Sequence, residues 1–110
     1  MLPENGKLLR IFIGESDIHD GLPLYEWIIN KAREIKMAGA TVFRGIEGFG
    51  AKSHIHTAKI LRLSQDLPIL IELIDTEEKI NNFVEIIDPV IMEGIVTSEN
   101  VLVKLYRDGK

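Results

Sequence analysis

Four short segments of this chain alternate with the period of a β-strand, and in them the second face is nearly as apolar as the first. Along residues 7–13, Leu9, Ile11 and Ile13 fall on one side, and Leu8, Arg10 and Phe12 on the other. Residues 67–74 divide into Ile69, Ile71 and Leu73 against Leu70, Glu72 and Ile74. Residues 101–106 divide into Val101, Val103 and Leu105 against Leu102, Lys104 and Tyr106. Residues 41–46 add Val42, Arg44 and Ile46 to the second set. The purely apolar sets suit a layer of helices. The second sets read apolar, charged, apolar, whereas a solvated sheet face should be mostly polar. They would expose about eight large apolar side chains as one patch, which marks an interface. The expectation is a homo-oligomer built on this open sheet face. The competing expectation is that a loop or the C-terminal tail lies over it.

Two helical stripes separate the strands. Leu24, Ile28, Ala32 and Ile35 recur at helical spacing after Pro23, which suits a first turn, and Gly39 marks a stop near Ala38. Ile80, Phe83, Val84 and Ile87 form a second stripe, capped by Asp75 or Thr76, with Glu78 placed to complete a capping box from Asp75. Asp88-Pro89 ends it. Asp20-Gly21 signals a turn. Residues 94–97 and 101–106 read as two closing strands around Ser98-Glu99-Asn100. The order is βαββαβ with an extra C-terminal strand: an α+β, ferredoxin-like sandwich with two helices on one face of an antiparallel sheet.

Composition narrows the class. The 110 residues contain no cysteine, which excludes disulfide scaffolds, thiolate metal sites and cysteine nucleophiles. One domain spanning 1–110 is expected from this length. A net charge of −4 gives no basic surface for nucleic acid. Residues 1–6 have neither a basic n-region nor an apolar h-region, so the expected location is the cytoplasm.

Chemistry concentrates in residues 44–59. Gly45, Gly48 and Gly50 permit positive φ and close approach of backbone to a ligand. Lys52, Lys59, Ser53 and Thr57 add charge and hydroxyls, and successive N–H groups in such a turn can form an anion nest. Neither GxxxxGK[ST] nor GxGxxG occurs. His54 and His56 share one face if the segment is a strand, a candidate metal pair, although solvated loop histidines weigh more. No Ser/His/Asp constellation stands at a recognisable spacing, so no catalytic residue is assigned. Glu77 and Glu78 complement a helix dipole. Trp27 and Tyr25 read as core or interface.

Several stretches carry a family likeness: Ile11-Phe12-Ile13-Gly14-Glu15, Gly21-Leu22-Pro23-Leu24-Tyr25-Glu26, residues 38–50, His56-Thr57-Ala58 and Asp66-Leu67-Pro68. Together they resemble an uncharacterised prokaryotic domain family of the PII-like superfamily. The wider likeness to PII nitrogen-signalling proteins rests on Gly48-Phe49-Gly50 leaving the second strand, the long loop after it, and Leu67-Pro68. The resemblance implies a non-enzymatic, signalling homotrimer that binds an adenine nucleotide (ADP, AMP or ATP) between subunits and signals through the 49–66 loop. By position it assigns Gly48, Phe49, Gly50, Ala51 and Lys52 to the cleft wall and Ile74 to the neighbourhood of the base. It also points to a membrane transporter or channel as partner. Residues 92–100 depart from the PII pattern, with one glycine, no lysine and two acids, and position 51 is Ala where PII proteins have Arg. That weighs against a PII-style triphosphate site and leaves smaller phosphates held by Lys52, Arg107 or Arg44. The alternatives are a metal-binding trimer resembling copper-tolerance relatives of PII, through His54 and His56, and a small phosphatase-type enzyme on the same fold.

Overall fold

The computed structural model describes residues 4–50 and 66–109. The elements are β1 (Asn5–Gly14), β2 (Ile18–His19), β3 (Leu22–Pro23), α1 (Leu24–Glu34), β4 (Ala40–Arg44), β5 (Pro68–Asp75), α2 (Glu77–Ile87) and β6 (Ile95–Leu102). β1, β4, β5 and β6 form one antiparallel sheet in the order β4-β5-β1-β6. Spatially this places the second main strand beside the third, then the first, then the fourth, which is the ferredoxin-like arrangement. β2 and β3 make a separate two-residue hairpin. Its turn is Asp20-Gly21 with φ of 53° and 77°, the pair of left-handed residues a type I′ turn requires.

The core forms as the periodicity predicts. Leu9, Ile11, Ile13, Ile69, Ile71 and Leu73 are buried beneath Leu24, Ile28 and Ala32 of α1 and Ile80, Phe83 and Ile87 of α2. Each of these leucine, isoleucine and phenylalanine side chains contributes roughly 1.5–3 kcal/mol by leaving water. α1 stops four residues earlier than Ala38. Lys36 adopts φ 64°, and Met37 N–H donates to Ala32 O at 3.0 Å while Lys36 N–H donates to Arg33 O at 3.0 Å. This is a Schellman closure with lysine in the position glycine normally takes. At α2 the cap is Thr76, whose hydroxyl accepts from Lys79 N–H at 3.2 Å. Asp75 has another task. It is buried, accepting from Thr76 N–H at 2.7 Å and Ala38 N–H at 2.8 Å, so no capping box runs from it to Glu78.

Two strand assignments differ from expectation. The closing hairpin does not form: Ser98, Glu99 and Asn100 lie inside β6, opposite Leu9, Leu8 and Lys7. The backbone of these residues pairs with β1 instead, and on the open face the Arg10 guanidinium meets Glu99, Nη1 to Oε1 at 3.0 Å. Residues 103–109 form no regular strand. The second difference is one of register. Thr41 and Phe43 sit opposite Glu72 and Leu70, so they belong to the open face, while Val42 and Arg44 turn to the helix side. In β6 the open face carries Ile95, Thr97, Glu99 and Val101, and Leu102 lies on the helix side. Val42, Val96 and Leu102 stay exposed there because the two helices pack chiefly over the central strands.

The open face is therefore organised in rows. Phe43, Leu70, Phe12 and Ile95 form one apolar row across all four strands. Thr41, Glu72, Arg10 and Thr97 form the next. The C-terminal segment covers only the far end. Val103 N–H donates to Glu4 O at 2.6 Å, and the Tyr106 hydroxyl reaches Ala38 O at 3.3 Å. A methyl on Gly6 would come within 3.2 Å of the Val103 side chain, so this glycine lets the segment lie close.

Candidate functional site

The residues singled out from sequence separate into two places at opposite ends of the sheet. Gly48, Phe49 and Gly50 lie where β4 ends and β5 begins. None of Gly45, Gly48 or Gly50 has a positive φ. The need for glycine is close packing instead: a Cβ on Gly45 would stand 2.7 Å from the Pro68 ring, and one on Gly48 3.0 Å from it. This stacking on Pro68 carries Phe49 to the rim of a cavity of about 260 Å³ beside Phe12, Gly14 and Ile95. The same cavity takes in Asp17, Asp66 and Glu93. Asp17 is pulled down to Gly14, whose N–H donates to its Oδ2 at 3.0 Å. Burial pushes the Asp17 carboxyl above the ordinary carboxylate range, against that N–H, and the charges of Asp66 and Glu93 push the same way. Asp66 in turn accepts from Ser16 N–H at 3.2 Å. These acids make the cavity unfavourable to a bare phosphate.

Arg44 pairs with Glu15, Nε to Oε2 at 3.1 Å, from the helix side of the sheet. Ala51, Lys52, His54 and His56 lie outside the described residues. His19 stands apart in the β2–β3 hairpin, edge-on to Trp27 at 4.9 Å. Among the described residues no group of three or more His, Cys, Asp or Glu side chains is arranged to hold a metal ion.

Ile74 lies at the other end of β5, six residues and about 20 Å from Pro68. It lines a groove of about 600 Å³ whose floor is β4 and β5 and whose wall is the C-terminal segment. Ala38, Gly39, Ala40 and Leu105 supply neutral surface, and Thr41, Glu72, Lys104 and Tyr106 supply polar groups. Arg107 follows Tyr106 directly and is exposed. Of the residues expected from sequence, Ile74 lines this groove and Arg107 follows its wall, while their neighbours carried no such signal. Glu72 and Lys104 stood out only as the charged members of an alternating pattern, and nothing in their spacing joins them to Thr41. The acids of the smaller cavity come from three separate connections and carry no local pattern either.

The Glu72 carboxylate is held from the side. Arg10 Nε donates to Glu72 Oε2 at 2.9 Å, and Arg10 Nη1 continues to Glu99. The Glu72 bond raises the Arg10 pKa above its already high ordinary value, so this guanidinium stays charged. No helix among the described residues is long and apolar enough to cross a membrane.

A UPF0166 protein of Aquifex aeolicus is 42% identical over 95 residues, 86% of this chain and 90% of the relative. The UPF0166 protein MJ1524 of Methanocaldococcus jannaschii is 39% identical over 75 residues, 68% of each chain. In structure, the chain is similar to CPII of Thiomonas intermedia K12 bound to ADP and bicarbonate, with a TM-score of 0.66 at 20% identity over 90% of this chain and 88% of that one. CPII is described as a nitrogen regulatory PII-like protein. The fold is thus PII-like, and with the model of DUF190 (Uncharacterized ACR) matching residues 6–103, the chain belongs to the DUF190 family.

Proposed function

We propose that this protein is a trimeric, non-enzymatic, PII-like regulator in the cytoplasm that binds an adenine nucleotide between its copies and reports the ligand to a partner, such as a membrane transporter, through residues 49–66. One observation carries the reading. The apolar row across the open face leaves Phe43 47%, Phe12 38% and Ile95 62% exposed in a single copy. The two candidate pockets lie at opposite ends of that face, so only neighbouring copies packed on it could bring a Gly48-Phe49-Gly50 wall to an Ile74 groove. The ADP bound to CPII, whose fold this chain shares, supports the choice of ligand. In this reading the base enters the Ile74 groove, and Lys104, Arg107 and Lys52 meet the phosphates. The acids near Gly48 disfavour the highest charge, so ADP and AMP bind more tightly than metal-free ATP.

The test is titration calorimetry with ADP, AMP and ATP, paired with sedimentation analysis of the unliganded protein. The expected outcome is a trimer that takes up ADP or AMP with measurable heat. A lone 12.4 kDa particle, or no heat and no thermal shift with any of the three, overturns the reading.

A further inference from the structure

We infer that Arg10 is a positioning residue, and that the Glu72 carboxylate it holds selects a base carrying an exocyclic amine over one carrying a carbonyl at that place. The inference rests on the groove being the base site. Arg10 and Glu72 are opposite one another in the β1–β5 ladder. The bond from Arg10 Nε to Glu72 Oε2, at 2.9 Å, fixes one carboxylate oxygen. The other, Oε1, has no hydrogen-bond partner among the described residues. Glu72 lines the groove, and Arg10 does not. An ionised carboxylate only accepts hydrogen bonds. A groove occupant that turns N–H toward Oε1 gains a charge-assisted bond, whereas one that turns a carbonyl oxygen sets two acceptors against each other. The guanidinium also neutralises Glu72, without which an acid beside an anionic nucleotide would repel it. Arg10 is itself held in place by Glu99 on the next strand, Nη1 to Oε1 at 3.0 Å. Its fork therefore spans β5, β1 and β6 and allows Glu72 little freedom to turn away.

The geometry makes selectivity, rather than affinity alone, the quantity to measure. Calorimetric affinities for ADP, IDP and 2′-deoxy-ADP are compared in the wild type and in E72Q, R10M and R10K. The wild type should favour ADP over IDP by about tenfold or more, as expected for one lost charge-assisted hydrogen bond. In E72Q the amide oxygen stays on Arg10 Nε and the NH2 turns to the groove, so that ratio should fall to one or below. R10M should weaken ADP binding about tenfold and shrink the ratio, and R10K should restore it. A loss of fold would lower both affinities together and leave the ratio unchanged, and E72Q and R10K keep the test open if R10M does not fold. If E72Q binds ADP about as tightly as the wild type and leaves the ADP:IDP ratio intact, or if the Glu72-dependent penalty falls on 2′-deoxy-ADP instead of IDP, the assignment is wrong while the nucleotide reading stands. If the wild type binds none of the three, the nucleotide reading itself has failed.

Discussion

At the scale of single residues, two positions work against the stability of the fold. Lys36 occupies a left-handed conformation at φ 64° to close α1, and its contribution to the closure is entirely main-chain: its N–H bonds Arg33 O and its carbonyl accepts Lys79 Nζ at 2.8 Å. Left-handed backbone costs an L-residue about 1–2 kcal/mol, part of which glycine returns as unfolded-state entropy. Lys36→Gly should therefore raise stability by about 0.5–1 kcal/mol, read as a higher denaturant midpoint with unchanged slope. Asp17 is the second. Its carboxyl is pushed up chiefly by burial, with Asp66 and Glu93 adding to the shift. A carboxyl with a raised folded pKa binds more protons folded than unfolded. Its contribution is intact below the ordinary carboxylate pKa and is lost as pH rises through the elevated one. Asp17→Asn keeps an acceptor for Gly14 N–H. It should be more stable than the wild type at pH 7 and indistinguishable from it near pH 3, and equal denaturation midpoints at both pH values would contradict the assignment.

At the scale of elements, the entry of β6 is the most constrained point. Gly94 has φ 149°, and a Cβ there would stand 2.4 Å from Phe12 O and 3.3 Å from the Ile13 side chain. Gly94→Ala should cost about 2 kcal/mol or more, because both the backbone conformation and the contact with β1 must give way. Thermal unfolding checks this, with Gly39→Ala as a control, since a Cβ at Gly39 meets nothing within 4 Å. The two helices, the strands 7–13 and 67–74 and the Asp20-Gly21 turn were legible because each is specified locally, by a 3.6-residue stripe, a two-residue alternation or a left-handed pair. The faces of β4 and β6 were not. Both are edge strands, and each has apolar residues on both sides, such as Val42 with Phe43 and Ile95 with Val96. Alternation then has no preferred direction, and only the ladder opposite β5 and β1 decides it. Ser98-Glu99-Asn100 was misread for a related reason. Three polar residues resemble a turn until the Arg10 partner of Glu99, 89 positions away, is in view. The Ile74 groove was half legible, since its wall comes from the C-terminal segment folding back across the sheet.

At the scale of the whole molecule, the proposed function ties ligand binding to assembly on the open face. Phe43 sits at the β4 end of the apolar row, opposite Leu70, and lines neither the 260 Å³ cavity nor the 600 Å³ groove. It is 47% exposed in one copy, so a charge placed there costs the isolated fold little. Across an interface the same change forfeits roughly half of a phenylalanine's burial and leaves a carboxylate without water, about 2 kcal/mol or more per copy. Phe43→Asp should therefore convert the proposed trimer to a 12.4 kDa monomer whose helical circular dichroism is unaltered. It should also abolish ADP uptake although no groove residue has changed. That second loss is the discriminating one. Pro68 and Ile74 are held about 20 Å apart by the rigid β5 strand, so a single copy cannot bring Gly48-Phe49-Gly50 and the Ile74 groove onto one nucleotide. A monomeric Phe43→Asp variant that still binds ADP with wild-type affinity would place the whole site within one chain and remove the interface from the mechanism.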